Sequence, residues 1–215
     1  MRTISLVFYH ARDISAGDAV LSEACQAQLD ALVQAMIEFE ATKVEQIAIG
    51  EDGLITAEQW LTLDASDAIV FASSTSLGSI AWQFEKFAID SHQRHGDFNL
   101  NWQNKLAAGF SFSDAPGDEG RAVLNWLVSF AMRHLMLWVG CADRAISPVV
   151  ADDIRYGERG GQSGLTLSTG SSLLSSPLAA GTTTSAGVLS HCRNFGQRIA
   201  ERTHSLPRTA LDIAC

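Results

Sequence analysis

Apolar residues run unbroken through "ISLVFY" (Ile4 to Tyr9), the pattern of a strand buried on both faces. From about Ser15 the rhythm changes. Val20, Leu21, Ala24, Cys25, Leu29, Leu32, Val33, Met36 and Ile37 recur at three- and four-residue spacing, which predicts an amphipathic helix. Ser15 suits its N-cap and Asp18 its first turn. The alternation then repeats, with strands at Gln46 to Gly50, Ala68 to Ser73, Leu106 to Phe112 and Met136 to Gly140. Between them lie helices near Thr56 to Leu63, Ser79 to Asp90 and Asp118 to His134. Five buried strands alternating with helices predict an α/β fold, a three-layer sandwich whose parallel sheet carries helices on both faces.

After Gly140 the pattern lapses through the Gly/Ser/Thr-rich stretch "GLTLSTGSSLLSSPLAAGTTTSAG" (Gly164 to Gly187), and it resumes in a helix from about Val188 to Arg202. Residues 1–203 therefore read as a single domain with a long loop at about 141–187, and 204–215 as a flexible C-terminal tail.

Composition narrows the partners. The chain has 215 residues, 47% of them hydrophobic and 18% charged, enough for one large buried core. Twenty-four acidic against 15 basic residues give a net charge of −9, with no basic cluster of the kind a nucleic acid needs, so nucleic acid is not the expected partner. No run of 18 uncharged apolar residues occurs, and Met1 to Tyr9 is too short for a signal segment, so the expectation is a cytoplasmic protein without membrane insertion. Four scattered cysteines with no CxxC pair read as free thiols.

In an open parallel sheet, ligands bind outside the carboxyl ends of the strands. Three loops meet there: His10 to Ser15, Ser74 to Ser79 and Ser111 to Gly117. The first belongs to "FYHARDISAG" (Phe8 to Gly17), which stands where a phosphate loop is usual but carries a carboxylate and few glycines or hydroxyls.

Four segments, "SDAIVFASSTSLGSIAWQFEKFAIDS" (Ser66 to Ser91), "KLAAGFSFSDAPGDEG" (Lys105 to Gly120), "AMRHLMLWVG" (Ala131 to Gly140) and "RNFGQRIAE" (Arg193 to Glu201), carry a resemblance over nearly the whole chain. The chain resembles the flavodoxin-like family of FMN-dependent NAD(P)H:quinone oxidoreductases (WrbA-type) and the related NADPH-dependent FMN reductases. The resemblance implies a five-stranded sheet of order 2-1-3-4-5, FMN as cofactor, NAD(P)H as co-substrate, a quinone or similar small-molecule electron acceptor, and a homodimer or homotetramer.

The resemblance assigns the flavin-ring loop to Ser74, Thr75, Ser76, Leu77 and Gly78, where Thr75 and Gly78 match, Ser74 replaces the family's Pro and Ser76 its aromatic or Arg. In the next loop, Ser111, Phe112 and Ser113 stand where the family has Thr or Ser, Asn or Ser, and Ser, so Phe112 replaces a polar group. His134 matches the family's active-site histidine, which the resemblance puts beside the flavin pyrimidine edge, where an N–H would steady negative charge on the reduced ring. Its neighbour Leu135 replaces a usual Gly.

The phosphate loop departs most. Where relatives read "YHSGYGHT", this chain has Ala11, Arg12, Asp13, Ile14, Ser15 and Ala16, of which Arg12, Ser15 and Ala16 are the remaining candidates to meet the phosphate. Losing two or three hydrogen bonds of roughly 1.5 to 3 kcal/mol each weakens FMN by about three decades or more. The alternative is thus an eroded flavin site on a non-catalytic binding or regulatory protein. Trp82, in place of a small residue, either stacks on a ligand ring or fills the vacated pocket.

Two other patterns carry less. "GFSFS" (Gly109 to Ser113) lacks the second Gly of a hydrolase nucleophile elbow, which speaks against Ser111 as a nucleophile. His92, His95 and Asp97 lack a fourth ligand and read as a solvated polar turn, with no metal expected.

Overall fold

Ile4, Leu6 and Val7 are fully buried because their strand runs down the middle of a sheet covered on both faces. A computed structural model of the chain describes residues 1–10, 23–76, 78–95, 100–113, 118–141, 165–168 and 186–207. In chain order the elements are β1 (Arg2–Tyr9), α1 (Glu23–Ile37), β2 (Thr42–Ala48), α2 (Ala57–Ala65), β3 (Ala68–Ser76), β4 (Ser79–Ile80), α3 (Trp82–His95), β5 (Leu106–Ser113), α4 (Asp118–Arg133), β6 (Leu137–Trp138), β7 (Leu165–Ser168) and α5 (Ala186–Ser205).

The main path of the sheet is β2-β1-β3-β5-β6, all parallel. Setting the two-residue β4 aside, this is the 2-1-3-4-5 order expected from the sequence. Strand alternation divides the core. Ile4, Leu6, Ala68, Val70, Ala108 and Phe110 pack under α1 and α5, whereas Val7, Ile69, Phe71 and Ala107 pack with Trp60 of α2, Phe84 and Phe87 of α3, and Leu127 and Phe130 of α4. Cys25, Cys141 and Cys192 are buried and form no disulfide among the described residues.

β3 runs on to Ser76 and β6 shortens to two residues, and three further elements differ from the sequence expectation, each for a local reason. β2 begins at Thr42 rather than Gln46, because it is the edge strand and its first half is partly solvated, with a Lys43–Glu45 ion pair at 2.5 Å instead of apolar side chains. α3 starts at Trp82 rather than Ser79, because Ser79 and Ile80 turn back to pair with β3. β7 lies inside the stretch expected to be loop. It is a four-residue strand pairing with the last half of β5, Phe110↔Leu165 through Ser113↔Ser168. β6 pairs with the first two residues of β5, so two separate segments share the outermost lane. Four residues amid Ser, Thr and Gly are too few to carry a readable period.

Capping is local and explicit. Thr56 accepts from the Gln59 backbone at 3.2 Å while the Gln59 side chain accepts from the Thr56 backbone at 2.8 Å, which fixes the start of α2. At the other end of that helix, Lys105 Nζ donates to the carbonyls of Leu63 at 3.2 Å and Asp64 at 2.5 Å. Burial pushes the Lys105 ammonium down from 10.5 to about 8, against the opposing pull of Asp64 and Asp67.

Candidate functional site

Three strands deliver their carboxyl ends to one rim of the sheet. Tyr9 of β1 lies beside Ser73 of β3, and Ser73 and Ser74 lie beside Ser111 and Phe112 of β5. β7 extends this crest outward, with Ser111 opposite Thr166. The crest is where open α/β sheets hold ligands.

Its centre is a hairpin. Thr75 pairs with Ile80 and Ser76 with Ser79, which leaves residues 77 and 78 as a two-residue connection. Gly78 sits at φ +77°, and a Cβ added there would meet no atom within 4 Å. The glycine is needed for its backbone conformation, and the space beside it is open. The base of the hairpin is tied to α3: Ser73 Oγ accepts the Ala81 N–H at 3.3 Å and donates to the Ser74 carbonyl at 3.0 Å. Ser73, Ser74 and Ser111 are buried, and Thr75 is half-buried.

Beside the hairpin runs a polar chain that the sequence reading missed. Gln83 Nε2 donates to the Tyr9 hydroxyl at 2.6 Å, and that hydroxyl donates to Glu51 Oε2 at 3.0 Å. It joins the end of β1, the loop after β2 and the start of α3. Its only signals were a Tyr closing an apolar run and a Gln on an apolar helix face.

Two sequence expectations shift. Phe112 does not face the crevice as a cofactor contact: at 1% exposure it packs edge-on against His10, 4.9 Å away, and Phe110, 5.2 Å away. The alternation of β5 turns Phe112 with Phe110 into the core under α1 and α5, because an apolar ring at that register gains more from burial than from the crest. His134 is further still from expectation. It closes α4 at the base of the sheet, where Leu137 pairs with Leu106, the first residue of β5. The length of β5 puts it roughly 23 Å from the crest. Its ring is buried against Trp102 at 4.7 Å and Phe130 at 4.9 Å, with Nε2 3.1 Å from Ser91 Oγ. Within one chain His134 therefore does not sit beside a ring held at the crest.

Arg12, Ser15, Ala16 and Leu77 lie outside the described residues, and Ser76 and Ser113 are placed by backbone alone. Trp82 opens α3 next to the hairpin and is 56% exposed, so it does not fill the pocket.

No family model matches the chain. Among solved structures, a flavodoxin, WrbA-like protein from Agrobacterium tumefaciens superposes with a TM-score of 0.62 at 22% identity, covering 95% of this chain and 98% of that one. The fold is flavodoxin-like. FerB, a flavoenzyme NAD(P)H:(acceptor) oxidoreductase from Paracoccus denitrificans, superposes with a TM-score of 0.57 at 11% identity, over 95% and 98% of the two chains. In sequence, the chain is 32% identical over 100 residues to flavodoxin FldP of Pseudomonas aeruginosa (strain UCBPP-PA14). That match spans 46% of this chain and 53% of the relative, about half of each.

The residues present at this flavodoxin-like crest fit the edge of a flavin ring. The space beside Gly78 is open and the hairpin that carries it, with Thr75 on its first strand, is pinned to α3, which leaves room for a planar ring edge at that turn. Among the described residues no helix is long and apolar enough to cross a membrane.

Proposed function

We propose that the protein is an FMN-binding oxidoreductase that passes electrons from NAD(P)H to a quinone or similar small acceptor, acting in the cytoplasm as a homodimer or homotetramer. The observation that carries this reading is the crest hairpin, whose pinned base and open Gly78 turn present a rim suited to a flavin edge. Thr75 and the backbone of Gly78 would hold the ring, with Ser74, Ser76, Leu77, Ser111 and Ser113 alongside. Arg12, Ser15 and Ala16 would meet the phosphate. When bound, FMN supplies the two-electron chemistry. The chain's own task is to position it: the Ser73–Ala81 bond keeps the hairpin in one place, and the Tyr9–Gln83 bond holds α3 against β1. Exposed Trp82 offers an indole face for a ring arriving from solvent.

A second reading is supported by Phe112. Its ring is fully buried where the resemblance expects a hydroxyl or amide, which favours a scaffold whose flavin site has eroded into a binding or regulatory surface.

One experiment separates the two. The purified protein is incubated with excess FMN, desalted and scanned through the flavin absorbance band, then supplied with NAD(P)H and a quinone. Retained flavin and nucleotide oxidation support the oxidoreductase. A colourless protein without turnover overturns it and leaves the eroded scaffold.

A further inference from the structure

Between α3 and α4, on the outer surface, lies a groove of about 620 Å³, a size that suits a small organic ligand. It exists because the two helices carry small side chains where they face it: Ala88 on α3, and Ala122 and Ser129 on α4. One wall is aromatic. The Trp126 and Phe130 rings lie 5.6 Å apart and within 24° of parallel, and Trp126 is half-buried, so part of its indole lines the groove. Ile89 of α3 stands on the other side. A flat apolar body fits between the two walls.

The polar groups of the groove divide into those already used and those still available. Ser129 Oγ donates its hydrogen to the Asn125 carbonyl at 2.9 Å. Ser91 Oγ donates to the Ala88 carbonyl at 2.8 Å, so it accepts from His134 Nε2 at 3.1 Å, and that N–H is taken too. Arg133 and His92 differ: among the described residues neither makes a side-chain hydrogen bond or an ion pair. The Ser91–His134 bond sets those two residues level, so Arg133 and His92 stand about 3 Å apart along the helix direction, on opposite walls at the base end. Glu85, likewise without a side-chain partner among the described residues, lies about 7.5 Å from the Arg133 level toward the crest. The groove thus has a cationic end, an aromatic middle and an anionic end, spaced by about the length of two fused rings.

We propose that this groove binds a planar, two-ring aromatic monocarboxylate, with its rings along Trp126 and its carboxylate on Arg133. The arginine fork matches a carboxylate with two parallel N–H bonds, and the His92 ring faces the same end from α3. A flat ring stacks on the half-buried indole and displaces water from Ala88, Ala122 and Ile89, where an alkyl chain would gain the second effect without the first. Glu85 stands where the far edge of the rings ends. A second anionic group there meets like charge, so the groove selects one carboxylate over two. The site shares no residue with the crest hairpin, and the proposal goes beyond the proposed function and does not depend on it.

The test is isothermal titration of the full chain with 2-naphthoate, with the neutral 2-naphthamide and the dianion naphthalene-2,6-dicarboxylate as comparators, each protein variant being checked for folding by circular dichroism. Wild type should bind one 2-naphthoate per chain, and bind both comparators more weakly. Arg133→Gln should weaken 2-naphthoate about tenfold or more and leave 2-naphthamide unchanged. Glu85→Gln should strengthen the dicarboxylate and leave 2-naphthoate unchanged. Ala122→Phe, an exposed position at the groove, should block all three by filling the space. The titration is repeated in excess FMN, where binding of 2-naphthoate should persist. Absence of saturable binding overturns the proposal and leaves the groove to a protein partner. Displacement by FMN places the ligand at the crest and overturns it too, as does binding that survives both Arg133→Gln and Ala122→Phe.

Discussion

Gln83 Nε2 donates a 2.6 Å hydrogen bond to the Tyr9 hydroxyl and so joins the first turn of α3 to the last residue of β1. Gln83 is buried, so its amide has little water to turn to. Tyr9→Phe should cost about 1 to 3 kcal/mol by leaving a buried donor unmade. Urea unfolding followed by far-UV circular dichroism measures this, with Gln83→Leu in the Tyr9→Phe background restoring part of the loss. If the two single changes add without coupling, the bond is not a stabilising link.

Gly78 and Gly196 should respond to alanine by very different amounts. At Gly78 the space is open and only the φ of +77° is at odds with a side chain, so Gly78→Ala should cost about 1 kcal/mol. At Gly196, inside α5, a Cβ would run into the Leu32 carbonyl of α1. Gly196→Ala must push the helices apart and should cost about 3 kcal/mol or more. Paired urea melts of the two variants decide this, and a cost at Gly78 equal to that at Gly196 would contradict it.

Phe112 offers a way to weigh the crest. Phe112→Ser empties a buried site and should cost about 3 to 5 kcal/mol of stability. If the ring has displaced a polar contact to flavin, the same change should raise FMN retention after desalting despite the lost stability. Retention that falls in proportion to the unfolded fraction would mean that Phe112 serves packing alone.

Lys105 makes stability depend on alkaline pH. Its folded value is lowered to about 8 from 10.5, so between those values the unfolded chain holds more protons than the folded one. Stability should therefore rise with pH across that window and fall again as pH drops through about 8, by an amount on the order of 3 kcal/mol in full. Urea-derived stabilities from pH 7.5 to 10 test it. Lys105→Met should flatten the rise, and a wild-type slope that survives the substitution would assign it to another group.

The sequence read the sheet well because its central strands are apolar on both faces: Ile4, Leu6 and Val7, or Ala68 through Ala72, cannot be confused with loop. It read edges poorly. Thr42 to Glu45 pair with β1 while half solvated, and Leu165 to Ser168 pair with β5 from within a polar stretch, so neither leaves an apolar period. The turn at Gly78 was legible from the glycine, but the hairpin around it was not, because Ser79 and Ile80 read as the start of the following helix. The place of His134 at the base of the sheet escaped the sequence for a different reason. A motif match conveys which helix end a residue occupies, but only the strand register shows that this end lies at the base, beside Leu106. The pairing of Tyr9 with Gln83 spans 74 residues and rests on two polar side chains, so no local pattern announces it.

The divided outer lane sets an order in which the sheet comes apart. β6 closes a connection of about 30 residues onto the base of β5, and β7 closes one of about 55 onto its crest half. The longer closure costs only about half a kcal/mol more, but β7 is a four-residue edge strand that can detach without disturbing β6 or the strands inside it. Amide hydrogens of Leu165 to Ser168 should then exchange with solvent ahead of those at Val139 and Leu137. Transient opening would fall on the outer flank of the crest, which makes the sheet's own edge a side door to whatever the crest holds.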